Sequence, residues 1–170
     1  MRLSEYTDYT LRVLMYCALH PERLVTIAEL AEQHQVSKNH LMKVVNDLAR
    51  QGVLETTRGR GGGLRLLKAA ADIRVGDVVR HSETDFRLVE CFDDSTNACT
   101  LSKACRLKAV FSAALRAYFK ELDAATLADI TAPAGAARKS AAPPSGAAPV
   151  VMIAPASRRK ANPKATRSRA

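Results

Sequence analysis

The segment SKNHLMKVVNDL, residues 37–48, has the pattern of an amphipathic helix that follows a capping residue. Ser37 is a residue type that caps helix N-termini. The apolar residues of the segment recur at the i, i+3, i+4, i+7 spacing of one helical face: Leu41, Val44, Val45 and Leu48. The opposite face carries Asn39, Lys43, Asn46 and Arg50, so the predicted helix is polar and basic on its outer side. Gly52 suits the end of this helix.

A second short helix is predicted immediately before this segment. Thr26 and Glu29 have the spacing of a capping box, so a helix should begin at Ile27 and end near His34. Two short helices joined by a tight turn, with a polar second helix, are typical of a helix-turn-helix.

Two short β-like runs, Val53–Thr57 and Leu64–Leu67, follow the second helix and flank RGRGGG, residues 58–63. Glycines permit a tight turn, so a hairpin is predicted here, in the position of the wing of a winged helix. Residues 37–68 contain seven basic and two acidic residues, which is the charge expected of a DNA-binding face. A nucleotide-binding phosphate loop is disfavoured because no helix and no Gly-Lys-Ser/Thr motif follow the glycines.

The predicted DNA contacts are therefore in the recognition helix and at the tip of the wing. They are Ser37, Lys38, Asn39, His40 and Lys43 on the helix, and Arg58 and Arg60 on the wing. No His-Glu-x-x-His, Gly-x-Ser-x-Gly or paired acid–base arrangement is present, so an enzyme is not predicted.

The remainder of the body supplies further helices. Residues 5–19 predict a helix with apolar residues on two sides, which suggests contact with a second subunit as well as with the core. A short helix is predicted within 72–82, and a long amphipathic helix within 107–122 has an apolar stripe suited to pairing with a second copy. The predicted fold is mainly α with a small β-hairpin wing, that is, a winged helix-turn-helix plus a long dimerisation helix.

The predicted organisation has four parts. Residues 1–82 form the DNA-binding domain, 83–105 a cysteine-bearing loop without periodicity, 106–131 the dimerisation region, and 132–170 a disordered basic Ala/Pro-rich tail. The net charge of +9 over 170 residues comes almost entirely from that tail, because residues 133–170 contain eight basic residues and no acid. No apolar run of membrane-spanning length or secretory signal is present, so a cytoplasmic protein without membrane contact is expected.

Three cysteines, Cys91, Cys99 and Cys105, lie in or beside the loop with C-x7-C-x5-C spacing. In a reducing compartment such thiols suggest an iron–sulfur cluster, a thiol–disulfide sensor, structural zinc or inert residues. Zinc is disfavoured because close C-x2-4-C pairs and a neighbouring histidine are absent. Cys17 lies on an apolar helix face and is predicted to be a packing residue.

The segments SKNHLMKVVNDL (37–48), RGRGGGLRL (58–66) and MRLSEYTDY (1–9), together with the three-cysteine loop, closely resemble the bacterial winged-helix iron–sulfur regulators. The resemblance covers about residues 1–130. It implies a homodimer that represses promoters of nitric-oxide detoxification and repair genes by binding palindromic, double-stranded operator DNA.

The resemblance also implies one iron–sulfur cluster per subunit, 4Fe–4S or 2Fe–2S, held by Cys91, Cys99 and Cys105 and destroyed by nitric oxide. Asp8 matches the position from which the partner subunit supplies a fourth ligand. From the residues alone, Asp8 is a solvated acid paired with Arg12 one turn along. Two alternatives stay open: a regulator switched by cysteine thiol chemistry, and a regulator of iron–sulfur cluster assembly genes.

Overall fold

A computed structural model describes residues 2–101 and 105–133, which form six α-helices, two short 3₁₀ turns and one two-stranded hairpin. In chain order these elements are α1 (Glu5–Leu19), α2 (Ile27–His34), α3 (Lys38–Arg50), β1 (Leu54–Thr57), β2 (Gly63–Leu66), α4 (Val75–Ser82), α5 (Arg106–Ala124) and α6 (Leu127–Thr131). This architecture confirms the predicted fold class. The predicted disordered tail lies outside the described residues from position 134 onward.

Helices α2 and α3 form the helix-turn-helix through the predicted capping interactions. The Thr26 hydroxyl accepts the Glu29 N–H at 3.1 Å, and the Glu29 carboxylate accepts the Thr26 N–H at 3.5 Å. The Ser37 hydroxyl accepts the His40 N–H at 3.3 Å and so caps α3. The predicted apolar stripe of α3, Leu41, Val44, Val45 and Leu48, is buried as expected.

The wing is an antiparallel hairpin in which Leu54 pairs with Leu66 and Thr57 with Gly63. Val25 extends it, exchanging two backbone hydrogen bonds of 2.9 and 2.8 Å with Leu64. Gly61 has φ +77°, a left-handed conformation that favours glycine. A Cβ at Gly63 would lie 2.7 Å from the Val25 carbonyl oxygen. The glycine run is therefore required by backbone geometry at the wing.

Helix α1 lies at the centre of the fold, where α2, α3, α4, α6 and β2 all pack against it. Val13 and Leu14 are completely buried, and Cys17 lies in the same core. This burial confirms Cys17 as a packing residue, and it raises the pKa of the thiol to about 12. The chain's own elements cover the side of α1 that carries Val13 and Cys17, while Leu11, Met15 and Ala18 stay partly exposed and Leu19 is exposed, so contact of α1 with a second subunit stays a prediction.

Helix α5 differs from α1 because none of its residues is buried. Leu107 is 56% exposed and Val110 is 61% exposed. One end of α5 is held to α4 by Arg80, whose guanidinium donates to both carboxylate oxygens of Asp123 at 2.7 and 2.6 Å and lies over the Phe119 ring. The apolar face of α5 is thus fixed in place and left open.

Within residues 2–101 and 105–133, no helix is both long enough and apolar enough to cross a membrane.

The α4–α5 junction predicts the effect of substituting Gly76. A Cβ there would lie 1.9 Å from Asp123 Oδ1, the oxygen that accepts from Arg80. Alanine favours helices over glycine, yet we expect Gly76→Ala to destabilise the protein by about 1–3 kcal/mol through this overlap. Urea unfolding measures the change. In an Asp123→Ala background the same substitution should cost less, and equal costs in the two backgrounds would contradict the overlap.

Candidate nucleic-acid interface and cysteine loop

The outer face of α3 presents the predicted DNA-contacting side chains to solvent. Lys38, Asn39, His40 and Lys43 are all exposed. Ser37 is also exposed, but its hydroxyl is occupied as the N-cap of α3. The structure therefore assigns Ser37 first to starting the recognition helix, and the four residues after it offer the polar surface.

Ion pairing determines which cations of this region stay available. Glu55 accepts from Arg65 at 2.7 Å, and Asp47 is paired with Arg50, so both acids of residues 37–68 are neutralised by arginines. Five cations of the region make no ion pair with any described residue: Lys38, Lys43, Arg58, Arg60 and Lys68. The positive charge is thus concentrated on α3 and the wing, as DNA binding requires.

Arg58 and Arg60 are exposed in the turn between β1 and β2. Gly59 between them has φ +98°, and Gly62 donates its N–H to the Gly59 carbonyl at 3.0 Å. The turn is therefore internally bonded, and both arginine side chains are exposed and make no ion pair with any described residue. This geometry suits phosphate or minor-groove contacts.

Two tyrosines of α1 reach the recognition helix. The Tyr6 hydroxyl donates to Asp47, and the Lys43 ammonium lies 5.8 Å from the centre of the Tyr6 ring. Burial, reinforced by the bond to Asp47, raises the pKa of Tyr6 to about 12, so the hydroxyl stays a donor. The Tyr9 and His40 rings are nearly parallel, with centroids 6.4 Å apart.

The sequence pattern of residues 5–19 predicts only a helix with two apolar sides and gives no sign of these contacts. Tyr6 and Asp47 are 41 positions apart, and no local spacing connects them.

The three loop cysteines occupy different settings. Cys91 is buried in a short 3₁₀ turn, Glu90–Phe92, while Cys99 is half-buried in the loop and Cys105 directly precedes α5. All are free thiols. Across residues 2–101 and 105–133, no group of three or more His, Cys, Asp or Glu side chains is arranged to hold a metal ion. The donor types fit an iron–sulfur cluster, but their arrangement in the single chain does not.

Side-chain interactions hold the cysteine loop in its place. Arg87 donates to Asp85 at 2.8 Å and also pairs with Asp93. The Glu90 carboxylate accepts the Ala98 N–H at 2.7 Å, and Phe86 packs edge-on against Phe119 of α5. The segment that lacked periodicity is thus ordered by ion pairs and one aromatic contact over its described residues.

Asp8 lies on α1 with its side chain about half exposed and forms an ion pair with Arg12 at 2.7 Å. This is the pairing predicted from the residues alone. It leaves the carboxylate accessible from outside the chain, and any other ligand of Asp8 would compete with Arg12.

Comparison with known proteins places this geometry in a family context. Residues 3–133 match the Rrf2 family, described as "Iron-dependent Transcriptional regulator". The HTH-type transcriptional regulator NsrR of Bacillus licheniformis is 51% identical over 131 residues, covering 76% of this chain and 92% of that protein. NsrR of Bacillus subtilis (strain 168) is 50% identical over 131 residues, covering 76% and 90%.

Solved structures share the fold. "T. potens IscR" is 24% identical with a TM-score of 0.61, covering 76% of this chain and 85% of that one. The oxidized form of Staphylococcus aureus CymR is 23% identical with a TM-score of 0.62, covering 77% and 96%. The resemblance inferred from the sequence motifs is confirmed, and the matching proteins are transcriptional regulators rather than enzymes.

The unpaired wing arginines lead to a prediction about salt dependence. We expect Arg60→Ala to weaken DNA binding across sequences and to flatten the slope of log affinity against log salt by about one unit, because one phosphate contact is lost. Fluorescence anisotropy over a series of salt concentrations measures the slope. Lys120→Ala, which removes an exposed charge from α5, is the control and should leave the slope unchanged. An unchanged slope for Arg60→Ala would remove Arg60 from the phosphate contacts.

Proposed function

The chain belongs to the Rrf2 family of iron-dependent transcriptional regulators, and from this premise we propose that it is a nitric-oxide-responsive repressor. It binds palindromic operator DNA as a homodimer and releases the DNA when an iron–sulfur cluster is nitrosylated. The observation that carries the proposal is the identity of about half of 131 residues with regulators named NsrR. The exposed basic face of α3 and the wing supports the DNA-binding part.

Operator recognition uses the recognition helix and wing of each subunit. A dimeric helix-turn-helix reads two half-sites about one DNA turn apart, so affinity depends on the spacing and tilt of the two α3 helices. Lys38, Asn39, His40 and Lys43 are available for base and phosphate contacts, and Arg58 and Arg60 for the backbone or adjacent minor groove. Small changes in helix placement therefore change affinity strongly.

Helix α5 supplies the dimer contact in this proposal. Leu107 and Val110 leave an exposed apolar face on a helix that the Arg80–Asp123 pair attaches to α4. A symmetric interface buries the same patch of both subunits, and a long helix with an open apolar face meets that requirement. Pairing through α5 would fix the distance between the two DNA-binding domains.

Cys91, Cys99 and Cys105 are the proposed cluster ligands, with Asp8 of the other subunit as the fourth. A bound iron–sulfur cluster would supply the centre that reacts with nitric oxide. To hold a cluster, Asp8 of each subunit has to give up its ion pair with Arg12. The three thiols also have to take up a common arrangement that they do not have here. A carboxylate is a harder ligand than a thiolate and binds iron less firmly, so this ligand set is suited to a labile site.

The second candidate is a regulator switched by thiol oxidation. The observation in its favour is that the three loop cysteines are free thiols and that Cys99 and Cys105 are only partly buried, so an oxidant can reach them.

The two candidates are separated by purifying the full chain without oxygen and measuring iron, acid-labile sulfide and visible absorption. An operator is first selected from a random duplex library with this protein. We expect a coloured protein whose operator affinity falls about 5–150-fold on adding nitric oxide, the range of a typical allosteric coupling. A colourless, iron-free protein that responds only to thiol oxidation would support the thiol switch and overturn the cluster proposal.

Cysteine substitutions test the ligand assignment. Cys91→Ser, Cys99→Ser and Cys105→Ser should each reduce iron content and the nitric-oxide response. Cys17→Ala is the matched control, because this thiol lies in the core away from the loop and should leave iron per subunit unchanged. Equal iron content in a loop variant and the wild type would remove that cysteine from the ligand set.

The dimer contact gives a separate prediction. Val110→Glu places a charge on the open face of α5 and should shift the protein from dimer to monomer while weakening operator binding, because burying an unpaired charge is costly. Analytical ultracentrifugation measures the mass. Leu67→Glu changes an exposed leucine outside α5 and should leave the mass unchanged. A dimeric Val110→Glu protein would place the interface elsewhere.

A further inference from the structure

One turn of the recognition helix is attached to the first turn of α1 through a single side chain. Tyr6 contacts Asp47 through its hydroxyl and Lys43 through its ring. Lys43 and Asp47 are four residues apart and so lie on the same side of α3. Arg50, one turn further, is paired with the same Asp47 carboxylate. Tyr6 therefore meets a three-residue charged cluster rather than an isolated partner.

The cluster borders the face that α3 presents to DNA. Lys43 is exposed and makes no ion pair with any described residue. Its ammonium is held over an aromatic ring, which attracts a cation without neutralising its charge. Lys43 can thus keep a preferred position and still meet a phosphate or a base. A lysine side chain otherwise has many rotamers, and ordering them on binding opposes affinity.

Asp47 is held by two donors. The Tyr6 hydroxyl and the Arg50 guanidinium both reach its carboxylate, and these bonds lower the pKa of Asp47, with Tyr6 contributing most. The acid that would repel DNA is thereby turned toward α1 and neutralised. The same bond links α3 to α1 on the side next to the buried stripe of Leu41, Val44, Val45 and Leu48, and so adds a directional contact to their packing.

We propose that Tyr6 is a positioning residue for operator recognition: its ring orients Lys43 and its hydroxyl anchors Asp47, which together set the placement of α3 on DNA. This inference rests on the proposed function only in that the chain reads a specific operator. It also connects Asp8 to the helix that contacts DNA, because Tyr6 and Asp8 lie within one turn of α1.

The first turn of α1 is rigid enough to act in this way. The Ser4 hydroxyl accepts the Thr7 N–H at 3.2 Å, and Thr7 is completely buried. Thr10 donates to the Tyr6 carbonyl at 2.7 Å and is also buried. A displacement of α1 at Asp8 would therefore be carried to Tyr6 and not absorbed by local bending.

A double-mutant cycle tests whether the bond from the Tyr6 hydroxyl to Asp47 contributes to operator binding. Tyr6→Phe and Asp47→Ala are compared singly and together for binding of the full-length holoprotein to the selected operator and to an unrelated duplex of equal length. We expect about a threefold to tenfold loss of operator affinity for each single variant and no further loss in the double variant, as for one hydrogen bond to a charged group. Thr131→Val, which removes a hydroxyl that donates to the Leu127 carbonyl within α6, is the control and should bind as the wild type does.

The sign of the Asp47→Ala effect discriminates between explanations. Simple electrostatics predicts tighter binding to every duplex when an acid near DNA is removed. The positioning role predicts weaker operator binding, with affinity for the unrelated duplex unchanged or increased. Additive losses in the double variant, or operator affinity unchanged by Tyr6→Phe, would overturn the proposal. Thermal midpoints taken beside these measurements show whether all variants stay folded at the assay temperature.

The role of the Tyr6 ring in orienting Lys43 is tested by substituting Lys43 in two backgrounds. Lys43→Ala should weaken operator binding less in a Tyr6→Leu background than in the wild type, because the lysine is no longer oriented there. Equal losses in both backgrounds would exclude orientation by the ring. All of these measurements precede the addition of nitric oxide, so a wild-type protein that binds the operator but ignores nitric oxide would refute the proposed sensing and leave the role of Tyr6 intact.

Discussion

The burial of α1 among α2, α3, α4, α6 and β2 is the constraint on which the rest of the structure depends. Val13 and Leu14 are fully buried, so α1 cannot shift without disturbing elements on several sides. The same helix bonds to the helix-turn-helix through Tyr6 to Asp47 and through Tyr16, whose hydroxyl donates to Glu29 of the α2 capping box at 2.8 Å. Asp8, in contrast, is left exposed. One rigid helix therefore has a face open to the outside and two polar attachments to the DNA-reading unit.

The charge of the DNA-binding region results from selective pairing and not from composition alone. Both acids of residues 37–68 are taken by arginines, which leaves lysines on α3 and two arginines on the wing for DNA. Exposed pairs of this kind add little stability, so their main effect is on which charges face outward. Because counterion release scales with the number of phosphates contacted, a few correctly placed cations give a near-neutral body its affinity for DNA.

Much of the fold was predictable because its signals are local. The Thr26–Glu29 capping box, the cap at Ser37, the stripe from Leu41 to Leu48 and the glycine run of the wing each act within a few residues, and each prediction is confirmed. What the sequence did not reveal are contacts between distant residues. The Tyr6–Asp47 bond, the Arg80–Asp123 pair and the packing of Phe86 on Phe119 arise only after the helices are assembled. The cysteine loop lacked periodicity for the same reason, since side-chain pairs order it without a repeating pattern.

The placement of the cysteines indicates how a cluster site would depend on the rest of the chain. Cys91 is buried in a turn and Cys105 is fixed to the start of α5, so neither thiol moves without its surroundings, whereas Cys99 lies between them on the loop. The same loop is held by the Arg87 pairs with Asp85 and Asp93, and Phe86 connects it to Phe119 of α5, so a rearrangement of the loop would act on these contacts. Where a site is not preformed, the free-energy cost of ordering the protein offsets part of the free energy of binding the metal. Occupancy of such a site would therefore affect α5, the helix proposed to pair two subunits, and, through Asp8 as the proposed fourth ligand, α1, the helix against which α3 packs.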